Sequence, residues 1–226
     1  MAFPEGKLSD WMLVEEDFSP RFDGRESRVE RFFRTFWGSD EITQERVKGE
    51  LVEAIFRWEP EVHSVEVLID LADIAGYLQV EGALPGLIGI IDNKVPLSRD
   101  EESEMLRARV VSSVSAFATH EDAKSALSRW YMYDDGRFDW TCTEIICFGL
   151  IEGDPEDAQS LLERLLTRID DPKYFDNPGL TASDLISFIK PDELERILKE
   201  IGTESAVKIL SGMSIAREIL TESGQV

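Results

Sequence analysis

At 226 residues, with a hydrophobic fraction of 42% and a mean hydropathy of −0.21, the chain has the balance of a folded protein that can bury a sizeable core, which excludes wholesale disorder. No apolar run approaches the roughly 18–20 residues that a membrane span needs. Its 46 Asp+Glu against 24 Lys+Arg give a net charge of −22, a field that repels nucleic-acid backbones and anionic membrane surfaces and attracts basic partners.

Residues 1–26 are punctuated by Pro4, Gly6, Pro20 and Gly24, with Trp11, Phe18 and Phe22 between them. This pattern predicts an irregular N-terminal arm that lays aromatic side chains onto the body. Its first residues lack a basic stretch followed by an apolar one, so no secretory signal is expected and the location expected is cytoplasmic. A helix is predicted over 27–37, where Val29, Phe32, Phe33, Phe36 and Trp37 fall on one stripe. Ser39 is the expected N-cap of the next helix, 41–58, whose apolar face is Val47, Leu51, Ala54, Ile55 and Trp58.

From Pro60 onward the pattern becomes repetitive. A long helix over about 61–80 is followed by a short one, 83–92, after the break at Gly82. A second long helix runs from after Ser98 to about 118, and Thr119 is the expected cap of its partner. A third covers about 138–152, with Pro155 at the first turn of a partner over 155–169. The second helices therefore begin near 83, 120 and 155, a spacing of helix-hairpin arrays. A local match accompanies it: Glu121-Asp122-Ala123-x-Ser125-x-Leu127-x-Arg129 recurs as Glu156-Asp157-Ala158-x-Ser160-x-Leu162-x-Arg164. Acids in the first turn favour the helix dipole, while the Ala and Leu positions form a buried seam. Cys142 and Cys147 lie in one apolar segment and point about 140° apart on a helix, so they read as buried thiols in a reducing setting and not as a bridge or a zinc site.

Over about residues 60–170 the chain resembles HEAT-like helical repeats, and the short helix Gly82-Ala83-Leu84-Pro85-Gly86-Leu87-Ile88 has the look of a HEAT second helix. It departs from that family in lacking a regular Pro and an Asp/Arg pair in each repeat. The resemblance implies a binding scaffold and carries over no catalytic residue. The expected fold class is all-α: stacked antiparallel helical hairpins, a HEAT-like α-solenoid or superhelical array, with an irregular arm at 1–26, a repeat body at 27–170 and C-terminal helices at 171–226 that cap the stack. Those last helices are expected at 182–189, 191–201 and 203–220, after the turn signals around Pro172 and Asn177-Pro178-Gly179.

No enzyme constellation stands out. Glycines 82, 86 and 89 lack the Lys and Ser/Thr of a phosphate loop, and His63 and His120 are the sole histidines. His63, Glu66, Asp70 and Asp73 share one helical face and read as its solvated side, with a divalent-metal site as the sharper alternative. The expectation is a non-enzyme with no catalytic residue, no metal and no cofactor.

Charge is uneven: residues 134–195 hold 16 acids against 5 bases, which directs attention to that stretch. Trp130, Tyr131, Tyr133, Phe138 and Trp140 cluster there with Asp134, Asp135 and Asp139 across a helix–turn–helix junction. Either Trp130, Phe138 and Trp140 close the core between repeats, or part of the set is exposed as an anchor, with Tyr131 or Tyr133 outward. Asp154, Glu156 and Asp157, and then Asp170, Asp171 and Asp176, follow at the next junctions, so three acidic junctions are expected along one ridge. The expected partner-binding residues are Tyr131, Tyr133, Asp134, Asp135, Asp139, Trp140, Asp154, Glu156 and Asp157. The expected function is an acidic protein-binding module that captures and neutralises a basic protein partner, in the manner of an immunity protein against a basic toxin domain. The alternatives are a cytosolic adaptor or chaperone for a secreted cargo, a nucleic-acid mimic whose acidic run Arg129, Arg137, Arg164 and Arg168 interrupt, and a metal-dependent enzyme. Direct nucleic-acid or membrane binding is not expected.

Overall fold

The computed structural model describes residues 28–95, 100–133, 135–174, 182–186 and 188–222. These residues form helices joined by short turns, with no strand among them, so the all-α expectation holds. The predicted arm at 1–26 and the turn at 175–181 lie outside the described residues. Among the described residues no helix is long and apolar enough to cross a membrane. The chain divides into two units, Met1–Ala126 and Leu127–Val226.

In the first unit, α1 (Arg28–Trp37) buries Phe32 and Phe36 and sets Phe33 against Tyr77 with ring centroids 4.6 Å apart. The helix α2 (Glu41–Arg57) is capped by Asp40, whose carboxylate accepts from the Thr43 N–H at 2.8 Å. The predicted cap, Ser39, instead donates its hydroxyl back to the Thr35 carbonyl at 2.8 Å. Its apolar face is as expected: Val47, Leu51, Ala54, Ile55 and Trp58 are all buried.

The helix α3 (Val65–Tyr77) starts later than the predicted 61, because residues 60–62 form a turn and Ser64 caps it. It packs on α1, α2 and α5, and its middle is enclosed nearly all round. Asp70 is therefore buried, not solvated as its face suggested. Beyond a 3₁₀ turn (Glu81–Ala83) comes α4 (Leu84–Asn93) with Pro85 in its first turn, then α5 (Glu101–Ser115) with Asp100 as cap. Helices α3 and α5 lie side by side and run the same way, since Asp73 faces Arg109 (3.9 Å), Gly76 faces Ser113, and Gln79 Nε2 donates to the Ala116 carbonyl (2.9 Å). A Cβ on Gly76 would sit 3.2 Å from Ser113 Cα, so the two backbones approach closely enough that even a methyl group there would be tight.

The unit division falls within α6 (Glu121–Tyr131). At its start the Asp122 N–H donates to His120 Nδ1 at 3.3 Å, in place of the predicted Thr119 cap. In the second unit, α7 (Trp140–Gly153) begins at its Asp139 cap, and a 3₁₀ turn (Pro155–Asp157) leads into α8 (Ala158–Thr167). The remaining helices are α9 (Ala182–Ile186), α10 (Pro191–Ile201) and α11 (Glu204–Glu222). Gly202, at φ +64°, supplies the left-handed residue that ends α10. The two sequence copies have matching burial: Ala123, Leu127, Ala158 and Leu162 are enclosed, and the acids preceding them are exposed.

Several long-range hydrogen bonds in each unit span 34–37 residues. In the first, Lys94 Nζ donates to the Trp58 carbonyl (36 residues apart) and Gln79 to Ala116 (37 apart). In the second, Arg168 donates to the Tyr131 carbonyl (37), Ser205 to Asp170 (35) and Gln159 to Glu193 (34).

Candidate functional site

The junction between α6 and α7 is built mainly as core. Trp130, Phe138 and Trp140 are buried, and Trp130 and Phe138 pack with centroids 6.0 Å apart. Tyr131 is buried too, and its hydroxyl donates to the Leu161 carbonyl at 2.6 Å. Burial pushes its phenol pKa upward. This corrects the expectation of an outward Tyr131: the ring fills the space against α8, and the guanidinium of Arg168 lies 5.2 Å from its centroid. Asp139 is buried as well, with its carboxylate accepting the Cys142 N–H at 2.7 Å. Asp139 and Trp140 are thus the cap and first residue of α7 and offer little surface to a partner.

Tyr133 and Asp135 are the accessible members. Tyr133 is half-buried and stacks on Phe138 at 6.4 Å. The Arg137 guanidinium sits 3.8 Å from the Tyr133 ring centroid and binds both oxygens of exposed Asp135, with Nε 3.0 Å and Nη2 2.7 Å from Oδ2. This hydrogen-bonded cation holds the Asp135 carboxyl below its ordinary pKa. Asp134 lies outside the described residues.

Asp154, Glu156 and Asp157 lie elsewhere. Between them and Asp139 runs the whole of α7, 14 residues, or about 20 Å at 1.5 Å per residue. The expected single ridge through consecutive junctions is corrected: successive junctions sit at opposite ends of the helix that joins them, and alternate junctions share an end. The end of α6 therefore neighbours the end of α8, where Arg168 bridges the rings of Tyr131 and Tyr174 (5.2 and 5.6 Å) and Arg164 Nη1 lies 3.2 Å from Met132 Sδ. Asp170, at this end, accepts from the Ser205 hydroxyl at 2.7 Å. Partial desolvation opposes its ionisation, yet the bonds from Ser205 and Thr203 hold its pKa below the ordinary value. Among the described residues Arg137, Arg164, Arg168 and Lys173 bring cations to this part of the unit.

The acidic surface is at the other end. Asp154 closes α7, and Glu156 and Asp157 are exposed just before α8. Gln159 Nε2 joins the Glu163 carboxylate (3.2 Å) to that of Glu193 on α10 (3.0 Å). Arg196 lies among Glu163, Glu193 and Glu200, and Asp192 is exposed in the first turn of α10. Carboxylates from α8 and from α10 thus meet around one arginine. Sequence spacing missed Glu163, Glu193 and Glu200, although their spacing from Gln159 and Arg196 on their own helices was a readable signal.

Other candidates are occupied by structure. His63 Nδ1 accepts the Glu59 N–H at 3.0 Å, and Asp73 faces Arg109 across α3 and α5. Among the described residues no group of three or more His, Cys, Asp or Glu side chains is placed to hold a metal ion. Cys142 and Cys147 are buried free thiols, and burial pushes Cys147 up to about 12.

Compared with known proteins, the chain matches no family model, no curated protein and no solved structure.

Proposed function

We propose that this chain is a HEAT-like helical-hairpin array that captures a basic protein and neutralises it, as an immunity-type inhibitor does, through the acidic face of α8 and α10. What supports the array is the separation of 34–37 residues shared by hydrogen bonds in both units, together with the matching burial of the two sequence copies. Side chains then link neighbouring repeats, in either direction along the chain.

The carrying observation for the function is the grouping of Glu163, Glu193 and Glu200 around Arg196, with exposed Glu156 and Asp157 just before α8 and exposed Asp192 at the start of α10. Exposed carboxylates add little to stability, with salt bridges of this kind worth about 0–1 kcal/mol. Their collective field instead steers a cationic partner into encounter. The net charge of −22 extends that field beyond the contact surface.

Stopped-flow association of the purified partner tests this. Raising ionic strength from about 0.05 to about 0.5 M should slow association by about tenfold or more. An association rate indifferent to salt contradicts the proposal.

A further inference from the structure

In the turn after α6 a guanidinium lies against two side chains. The face of Tyr133 lies 3.8 Å from the Arg137 carbon, and the Asp135 carboxylate takes the guanidinium edge with both oxygens. Tyr133 is itself fixed, because its ring stacks on buried Phe138 at an interplanar angle of 14°. Gly136, at φ +73°, turns the chain so that Arg137 folds back over residues 133 and 135. An aromatic face with a carboxylate at its rim is selective for arginine over lysine, since only the planar guanidinium stacks and forks at once.

We infer that Tyr133 and Asp135 form a guanidinium receptor, filled in the free protein by Arg137, into which an arginine of a basic partner exchanges. The occupant shows what chemistry the site takes. The exchange is feasible because solvent reaches both members of the resident pair, with side-chain accessibilities of 32% for half-buried Arg137 and 51% for exposed Asp135. Exposed ion pairs and exposed cation–π contacts are each worth about 1 kcal/mol or less. A partner arginine that brings neighbouring contacts with it therefore competes on near-equal terms, and the displaced Arg137 returns to water. The inference rests on the proposed basic partner, and it adds a second contact, at the opposite end of α7 from the acidic turn that leads into α8.

The test compares full-length wild type, Arg137→Ala and the double variant Arg137→Ala/Tyr133→Leu for affinity to hexa-arginine and hexa-lysine peptides. Removing Arg137 raises attraction to both peptides by one unit of charge, so the quantity to read is the ratio of the two affinities. Vacating the receptor should raise the arginine-to-lysine ratio about threefold, and removing the Tyr133 ring should return it to the wild-type value. A ratio unchanged by Arg137→Ala overturns the inference, as does an increase that survives in the double variant. Absolute affinity for both peptides reports separately on acidic capture, so failure of the receptor and failure of the proposed function are distinguishable. Matching thermal unfolding of the three proteins shows that the turn substitutions leave the fold intact.

Discussion

Arg168 donates a hydrogen bond to the backbone carbonyl oxygen of Tyr131, 37 residues earlier in the chain, at 3.2 Å. Tyr131 is the last residue of α6, and Arg168 is the C-cap of α8. Two helix C-termini, each carrying partial negative charge, meet at this guanidinium, and the rings of Tyr131 and Tyr174 flank it. A cation only 7% exposed is thus compensated by peptide dipoles and aromatic faces. Arg168→Met, which keeps the stem and removes the charge, should lower stability by about 2 kcal/mol in urea unfolding, with Arg168→Lys recovering part of the loss. An unchanged unfolding midpoint for Arg168→Met would show that the guanidinium is not part of what joins these helix ends.

Two glycines in helices should respond with opposite signs. Gly76 faces the Ser113 backbone, so Gly76→Leu must push α3 and α5 apart and should cost about 2 kcal/mol or more. Gly49 on α2 has nothing within 4 Å of an added Cβ. Gly49→Ala should therefore raise stability by about 0.5–1 kcal/mol through helix propensity alone. Thermal unfolding of both variants checks the pair.

Asp135 and Asp139 lie in one turn but have different roles. Asp139→Ala removes the cap of α7 and should cost about 1 kcal/mol. Asp135→Ala loses an exposed contact with Arg137 and should leave stability nearly unchanged while weakening arginine-dependent binding. Equal losses of stability in the two variants would contradict this division.

Alkaline pH should destabilise the fold. Cys147 titrates near 9.0 when exposed, but burial raises it to about 12 in the folded chain. Above about pH 9 the unfolded chain holds fewer protons than the folded one, so stability falls as pH rises towards 12. The buried Tyr131 phenol acts in the same direction. Melting temperatures across this range should drop less steeply for Cys147→Ala than for wild type. Parallel slopes would count against a thiol contribution.

The helices were legible because their apolar stripes are strong, as in α2, where all five predicted core residues are buried. Starts were less so, since adjacent polar residues compete to cap: Asp40 outbids Ser39, and Ser64 starts α3 after a turn. The candidate site was half legible. Composition pointed to the acidic stretch, and a repeat near 35 residues is visible in the two Glu-Asp-Ala copies. Side-chain direction was not visible: an aromatic cluster at a hairpin end reads alike whether Tyr131 points to solvent or to Leu161. The false ridge came from counting junctions along the chain, whereas a helix of 14 residues places consecutive junctions at opposite ends.

The most direct test is the affinity for the basic partner, isolated by pull-down with the full chain, of a variant carrying Glu156→Lys, Glu163→Lys and Glu193→Lys. Titration calorimetry at about 0.15 M salt should show affinity reduced by at least about tenfold, with a weaker salt dependence and an unchanged fold by circular dichroism. Wild-type affinity retained by this charge-reversed protein would contradict acidic capture through α8 and α10.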